Sequence, residues 1–240
     1  MINKYCLIYE VHCIYYIDYF KVNLTVRITR RKALTAGMKN EPYCMSFSTG
    51  GIFLRESVDF AVLFLELKDW DSVRDKVLQG NLLQARTLNS SKRISREIIY
   101  RLKTLNHVEI DFLVHGSSHE QKHLLWIAIC RYYKFIADFA VEVIRERYIS
   151  LKSDLPYEEF DFFFNKKSEC HHELDQIHTS TREKLRQVLF KILREVDILS
   201  ENNIIHAAMP SPRLIKAVAS ANQQDIMVFP AFDSDIKRWL

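Results

Sequence analysis

The sequence predicts an all-α, mainly helical fold. Glycine and proline number only five each among 240 residues, so the chain carries few breakers. Apolar residues recur at spacings of three and four, in segments that open on helix-capping residues. The architecture expected is a compact multi-helix globular fold with two helix-turn-helix-like units, at about 52–105 and 180–230, and a minor β-hairpin near the C-terminus.

Residues 1–37 differ in character, with the aromatic run CIYYIDYF followed by the basic, β-branched run KVNLTVRITRRK. Glu10, Asp18 and Lys21 interrupt it, which rules against a signal peptide or a membrane span. Two accounts fit: an added strand or hairpin, or upstream sequence counted in by an early start codon, with Met38 or Met45 as the working start. The second is preferred, because the segment matches nothing in the helical logic that follows. Residues 38–240 are then expected to be a single helical domain.

In order, Ser48-Thr49-Gly50-Gly51 turns the chain into a helix from Ile52 to about Leu67, with Leu54, Val58, Ala61, Val62 and Leu65 inward. Asp69 or Asp71 caps a short helix through Val73, Val77 and Leu78, ended by Gly80. The connection from Gly80 to Asn89 is longer than the tight turn of a helix-turn-helix. A basic helix follows from about Ser91. Asn106 with Glu109 reads as a cap, Ser117 with Glu120 and Ser118 with Gln121 are both capping-box signatures, and Ser180 with Glu183 is another. They open a short helix over 107–114, a long central helix over about 119–149, and a later helix faced by Leu185, Val188, Leu189, Ile192, Leu193 and Val196. Asp154-Leu155-Pro156 starts the helix of Phe160, Phe162, Phe163 and Phe164. Ser211-Pro212 is an N-cap and first helical position between two strand-like runs, IIHAAM and DIMVFP, an order that suggests a winged-helix-like module; a last short helix begins at Asp233.

Charge supports a polyanion partner only through clustering. Residues 1–37 hold six bases against two acids, and the rest of the chain holds 28 of each. From Arg86 to Lys103 six bases face one acid, Glu97. As a helix, this stretch puts Ile94, Ile98, Leu102 and Leu105 on one stripe, and Lys92, Arg93, Arg96, Tyr100 and Lys103 opposite it. Asn89, Ser90 and Ser91 sit where an N-cap belongs, and the free N–H groups there suit either those side chains or a phosphate. The pattern fits a DNA-docking helix and equally an ordinary solvated one. The candidate DNA-binding residues are Arg86, Ser90, Ser91, Lys92, Arg93, Arg96 and Lys103, with Arg213 and Lys216 of the short C-terminal helix as a second, weaker contact. Lys166, Lys167, Arg182, Lys184 and Arg186 form another basic zone, diluted by Glu169, Glu173 and Glu183 and read as ordinary surface.

Catalytic signals are weak. His115, His119 and His123 have ligand spacing, but Gly116-Ser117-Ser118 starts a helix between the first and the others. Cys170-His171-His172 and His178 lack a partner at a recognisable ligand spacing. Glu66-Leu67-Lys68 with Asp59 imitates the acid-x-lysine of metal-dependent nucleases, yet falls on a helix rather than a strand. No phosphate loop, dinucleotide motif or nucleophile elbow occurs. No catalytic residue, metal or cofactor is therefore expected. The five cysteines are odd in number and widely spaced, which suits a reducing, cytoplasmic setting.

The run MSFSTGGIFLRES from Met45 to Ser57 resembles the opening of the BrxA family, a core component of bacteriophage-exclusion (BREX) systems. Arg86-Thr87, Ser90-Ser91, Arg93-Ile94, Arg96-Glu97 and Arg101-Leu102 extend the resemblance, as do Phe135 to Arg147 and the run MPSPRL ending at Leu214. It covers about residues 38–240. It implies a compact helical protein that binds double-stranded DNA without catalysis, in a system that methylates host DNA and blocks phage replication. The expectation is thus a monomeric, non-membrane accessory protein with double-stranded DNA and other BREX components, such as the methyltransferase, as partners. Two rivals remain open: an adaptor whose basic helix docks an acidic protein partner, and a metal-dependent nuclease.

Overall fold

The computed structural model describes residues 42–240, which form one compact unit; the expectations for residues 1–37 lie outside them. From Tyr43 to Phe53 the backbone is an irregular strap whose Tyr43 and Phe47 are buried. It leads into α1 (Leu54–Leu67) through Gly50 (φ 66°) and Phe53 (φ 54°). At Gly51 a Cβ would lie 2.0 Å from Glu195 Oε2, so a side chain there would displace that carboxylate. That carboxylate accepts the Ile52 N–H at 2.6 Å, so the strap is fastened to a side chain 143 residues further on.

Asp69 accepts the Ser72 N–H at 2.7 Å and caps α2 (Trp70–Gln79), which buries Val73 and Val77. After a turn comes α3 (Leu88–Leu102), then α4 (His107–His115) and α5 (Ser118–Tyr132). α1 packs on all four of these, and α5 also packs on α3 and α4. The expected capping boxes Asn106–Glu109 and Ser117–Glu120 are both present. On α1 the expected inner face holds in part: Ala61 is buried and Leu54, Val58 and Leu65 are half-buried against the core, while Val62 is exposed and Ser57 and Phe60 are buried instead.

Residues Leu124 to Cys130 of α5 are buried on every side, which makes it the central helix of the core. It does not continue to 149 as the sequence suggests. Tyr133 (φ −109°, ψ 90°) breaks it, and α6 restarts at Lys134, passing through a π-helical stretch, Ala140–Arg145, to Ile149. The cause is tertiary. Tyr133 is fully buried and its hydroxyl donates to Glu97 of α3 at 2.5 Å.

α7 (Tyr157–Ser168) buries Phe160, Phe163 and Phe164 against Phe135 and Phe139, with Phe162 left exposed. The short α8 (His172–Asp175) packs on it. α9 (Thr179–Glu195) starts one residue before the expected box and has no side-chain cap, since Ser180 is already inside the helix. Its predicted face is buried.

The C-terminal β-hairpin does not form among the described residues. Of IIHAAM, only Ile204 and Ile205 make isolated bridges, to Asp154 and Leu199. DIMVFP is mostly a 3-10 helix, Gln223–Val228, because Ile226, Val228 and Phe229 are drawn into the core. The winged-helix reading of residues 180–230 therefore loses its wing. α10 (Pro212–Ala219), capped by Ser211, and α11 (Asp233–Trp239) stand as expected. The Ser211 hydroxyl also donates to Glu120 at 2.5 Å, so one carboxylate serves the starts of both α5 and α10.

Candidate nucleic-acid interface

α3 is built as a two-faced helix. Inside, Ile98 and Leu102 are fully buried and Ile94 is half-buried; full burial of such a side chain contributes about 1.5–3 kcal/mol. The buried face is wider than the apolar stripe, because it also takes in Ser91, Ser95, Glu97 and Arg101. Arg101 Nε donates to Glu97 Oε1 at 2.8 Å and Nη1 donates to the Gly51 carbonyl at 2.8 Å. Glu97 also receives the Tyr133 hydroxyl. Burial and the neighbouring Glu97 charge push that phenol well above its ordinary range. This buried ion pair, tied also to the strap carbonyl and to Tyr133, fixes the rotation of α3 about its axis.

That rotation sends the other cations outward. Arg86, Lys92, Arg93, Arg96 and Lys103 are all exposed. Among the described residues, none has a carboxylate within 4.0 Å. Arg93 Nη2 donates to a neutral group, Ser48 Oγ of the strap, at 2.9 Å. Lys103 is near enough to help hold the Asp69 carboxyl below the usual range, behind the Ser72 hydrogen bonds that dominate there. The only acid of the helix is turned inward with Arg101, so the outer face keeps its charge.

The helix start differs from expectation. Thr87, not Asn89, Ser90 or Ser91, is the N-cap, and its hydroxyl oxygen accepts the Ser90 N–H at 3.1 Å. Ser90 is exposed, whereas Ser91 is 3 % exposed and faces the core. Ser91 is thus withdrawn from the candidate contacts. Arg213 and Lys216 are exposed on α10, which packs against α4 and the 3-10 helix. Arg213 lies over the Phe112 ring at 5.6 Å from its centroid. They form a patch on a separate helix rather than an extension of α3.

Four of the five bases of the second zone, all but the exposed Lys184, have the opposite surroundings. Lys167 Nζ reaches Glu142 at 2.6 Å and Asp138 at 3.2 Å, and Lys166 reaches Glu142 at 3.2 Å. Arg182 and Arg186 both pair with Asp161.

The nuclease-like triplet is dispersed: Glu66 pairs with Lys76 at 3.5 Å, and Lys68 Nζ bonds His107 Nε2 at 3.1 Å. Among the described residues no three His, Cys, Asp or Glu side chains are grouped to hold a metal. The His119 and His123 rings are 4.1 Å apart, and burial holds the His123 imidazole down at about 4. No helix of the described residues is long and apolar enough to cross a membrane.

Two groups here were absent from the sequence-based site. The Glu97–Arg101 pair carries a sequence signal, an acid four residues before a base on a helix. Ser48 carries none.

Comparison with known proteins agrees with the resemblance. The BrxA family model matches residues 41–222. The chain belongs to the BrxA family. A BREX protein BrxA from Escherichia coli O9:H4 (strain HS) is 28% identical over 194 residues, covering 79% of this chain and 91% of that protein. Another BREX protein BrxA, from Bacillus cereus (strain H3081.97), is 26% identical over 148 residues, or 58% and 74% of the two. The crystal structure of an uncharacterized protein from Magnetospirillum magneticum superposes with a TM-score of 0.72 at 22% identity. It covers 80% of this chain and all of that one, so the helical fold is shared.

Proposed function

We propose that this chain is a non-catalytic, double-stranded-DNA-binding accessory protein of a BREX-type phage-defence system, gripping phosphates with the outer face of α3. The observation that carries the reading is the row of exposed cations Lys92, Arg93, Arg96 and Lys103, with Arg86 at its head, which have no carboxylate within 4.0 Å among the described residues while the helix's own acid, Glu97, is turned inward. Such a row yields affinity with little sequence information, and its binding weakens steeply with salt. In this reading α1, α2 and α3 work as a helix-turn-helix-type unit with α3 presented to the duplex. Arg213 and Lys216 add a second, weaker contact. The protein acts as a monomer in the cytoplasm beside other BREX components, the methyltransferase among them.

The test is duplex binding across a salt series with a Lys92/Arg93/Arg96 triple alanine variant. The expected result is a folded protein with weaker binding and a shallower salt slope. Unchanged affinity and slope would remove α3 from the interface. Retention of BREX proteins from nuclease-treated lysate, with no duplex binding by the purified chain, would instead favour the adaptor.

A further inference from the structure

One exposed aromatic side chain stands inside the cationic row. Tyr100 is 42% exposed on α3. It shares a sector of the helix with Lys92, Arg93, Arg96 and Lys103, one turn beyond Arg96 and three residues before Lys103. Tyr132 lies beside it, ring centroids 5.6 Å apart and planes inclined by 33°. Tyr132 in turn meets the buried Tyr133 edge-on at 4.6 Å, and Tyr133 is pinned by Glu97. Three rings therefore run outward from the core to the surface, and the outermost is backed by a rigid support. Among the described residues Tyr132 is the only ring against Tyr100, and no lysine or arginine lies over its face.

Phosphate oxygens gain little from a tyrosine ring. A nucleobase gains much, because every base has a π-face, and aromatic rings within a basic track are the usual platform for unpaired strands. Bases of an intact duplex are stacked on one another and present no face. We infer that Tyr100 is a stacking platform for an unpaired base, so that the α3 surface takes a DNA strand carrying a short single-stranded stretch in preference to uninterrupted duplex. From Lys92 to Lys103 the row is about 16 Å long, the length of roughly five nucleotides along one strand at the duplex spacing of about 3.4 Å. The cations hold the backbone on either side while the ring takes one base between them. The inference rests on the polyanion reading of α3 and adds the state of the strand that it recognises.

The experiment compares two labelled probes of one sequence: a continuous duplex, and the same duplex with a five-nucleotide gap holding 2-aminopurine. Full-length protein is expected to bind the gapped probe about tenfold more tightly and to quench the 2-aminopurine. Tyr100→Ala is expected to lose the preference and the quenching while keeping its affinity for continuous duplex. Tyr100→Phe, which keeps the ring, is expected to retain both. Equal affinity of the unaltered protein for the two probes overturns the inference and leaves duplex binding standing. So does a Tyr100→Ala variant that still prefers and quenches the gapped probe. Failure to bind either probe overturns the polyanion reading as well.

Discussion

Two regions of this molecule hold comparable numbers of lysines and arginines in opposite surroundings. On α3, Lys92, Arg93, Arg96 and Lys103 project from a helix whose one acid has gone into the core. On α7 and α9, Lys166, Lys167, Arg182 and Arg186 each meet a carboxylate supplied by another helix or by the same helix pair. What separates the two regions is the position of the acids. Local base count is nearly the same in both. A neutralised cation has little reason to release its partner and meet a phosphate, since the exchange gains almost nothing electrostatically.

The comparison can be broken most severely at Glu97. Glu97→Gln leaves Arg101, 2% exposed, without its counter-charge. The expected loss is about 3–5 kcal/mol of stability, read from denaturant melts monitored by circular dichroism. Next, the Lys92/Arg93/Arg96 triple alanine should flatten the slope of log affinity against log salt by up to about 2.7, with its melting temperature little changed. Asp161→Asn sharpens the contrast from the other side, because it releases Arg182 and Arg186 together. A steepening of the same slope by up to about 1.8 is expected, measured by anisotropy with duplex DNA. The smallest effect belongs to Lys166/Lys167 double alanine. Duplex affinity should be unchanged, and stability should fall by no more than about 1 kcal/mol. A marked loss of binding there would erase the distinction between the two regions.

Much of the helical frame was legible because local chemistry dictates it. Asn106 with Glu109 and Ser117 with Glu120 cap their helices as read, and the stripe of Ile98 and Leu102 faces the core. The failures have tertiary or single-residue causes. Ser180 falls inside α9 because Thr179 takes the first helical position, and a box motif cannot tell those two frames apart. The break at Tyr133 has no glycine or proline to announce it, being made by a hydrogen bond to a helix about 36 residues away in sequence. The second strand-like run coils into a 3-10 turn because β-branched residues suit a packed interior as well as a ladder. At the site, helical periodicity alone placed Lys92, Arg93, Arg96 and Lys103 outward. It could not foresee that Ser91 would lie inside, since the buried face of α3 is wider than its apolar stripe. Nor could it separate the two basic regions, because Asp138, Glu142 and Asp161 reach their cations through the fold.

The single carboxylate of Glu120 has a dynamic consequence. It closes the first turn of α5 and also receives the hydroxyl that caps α10, some ninety residues later. Unravelling either turn strips the other of a partner, so the two should open together rather than fray separately. Amide protons at the head of α10, near the end of the chain, should then exchange with deuterium as slowly as those at the head of the central helix.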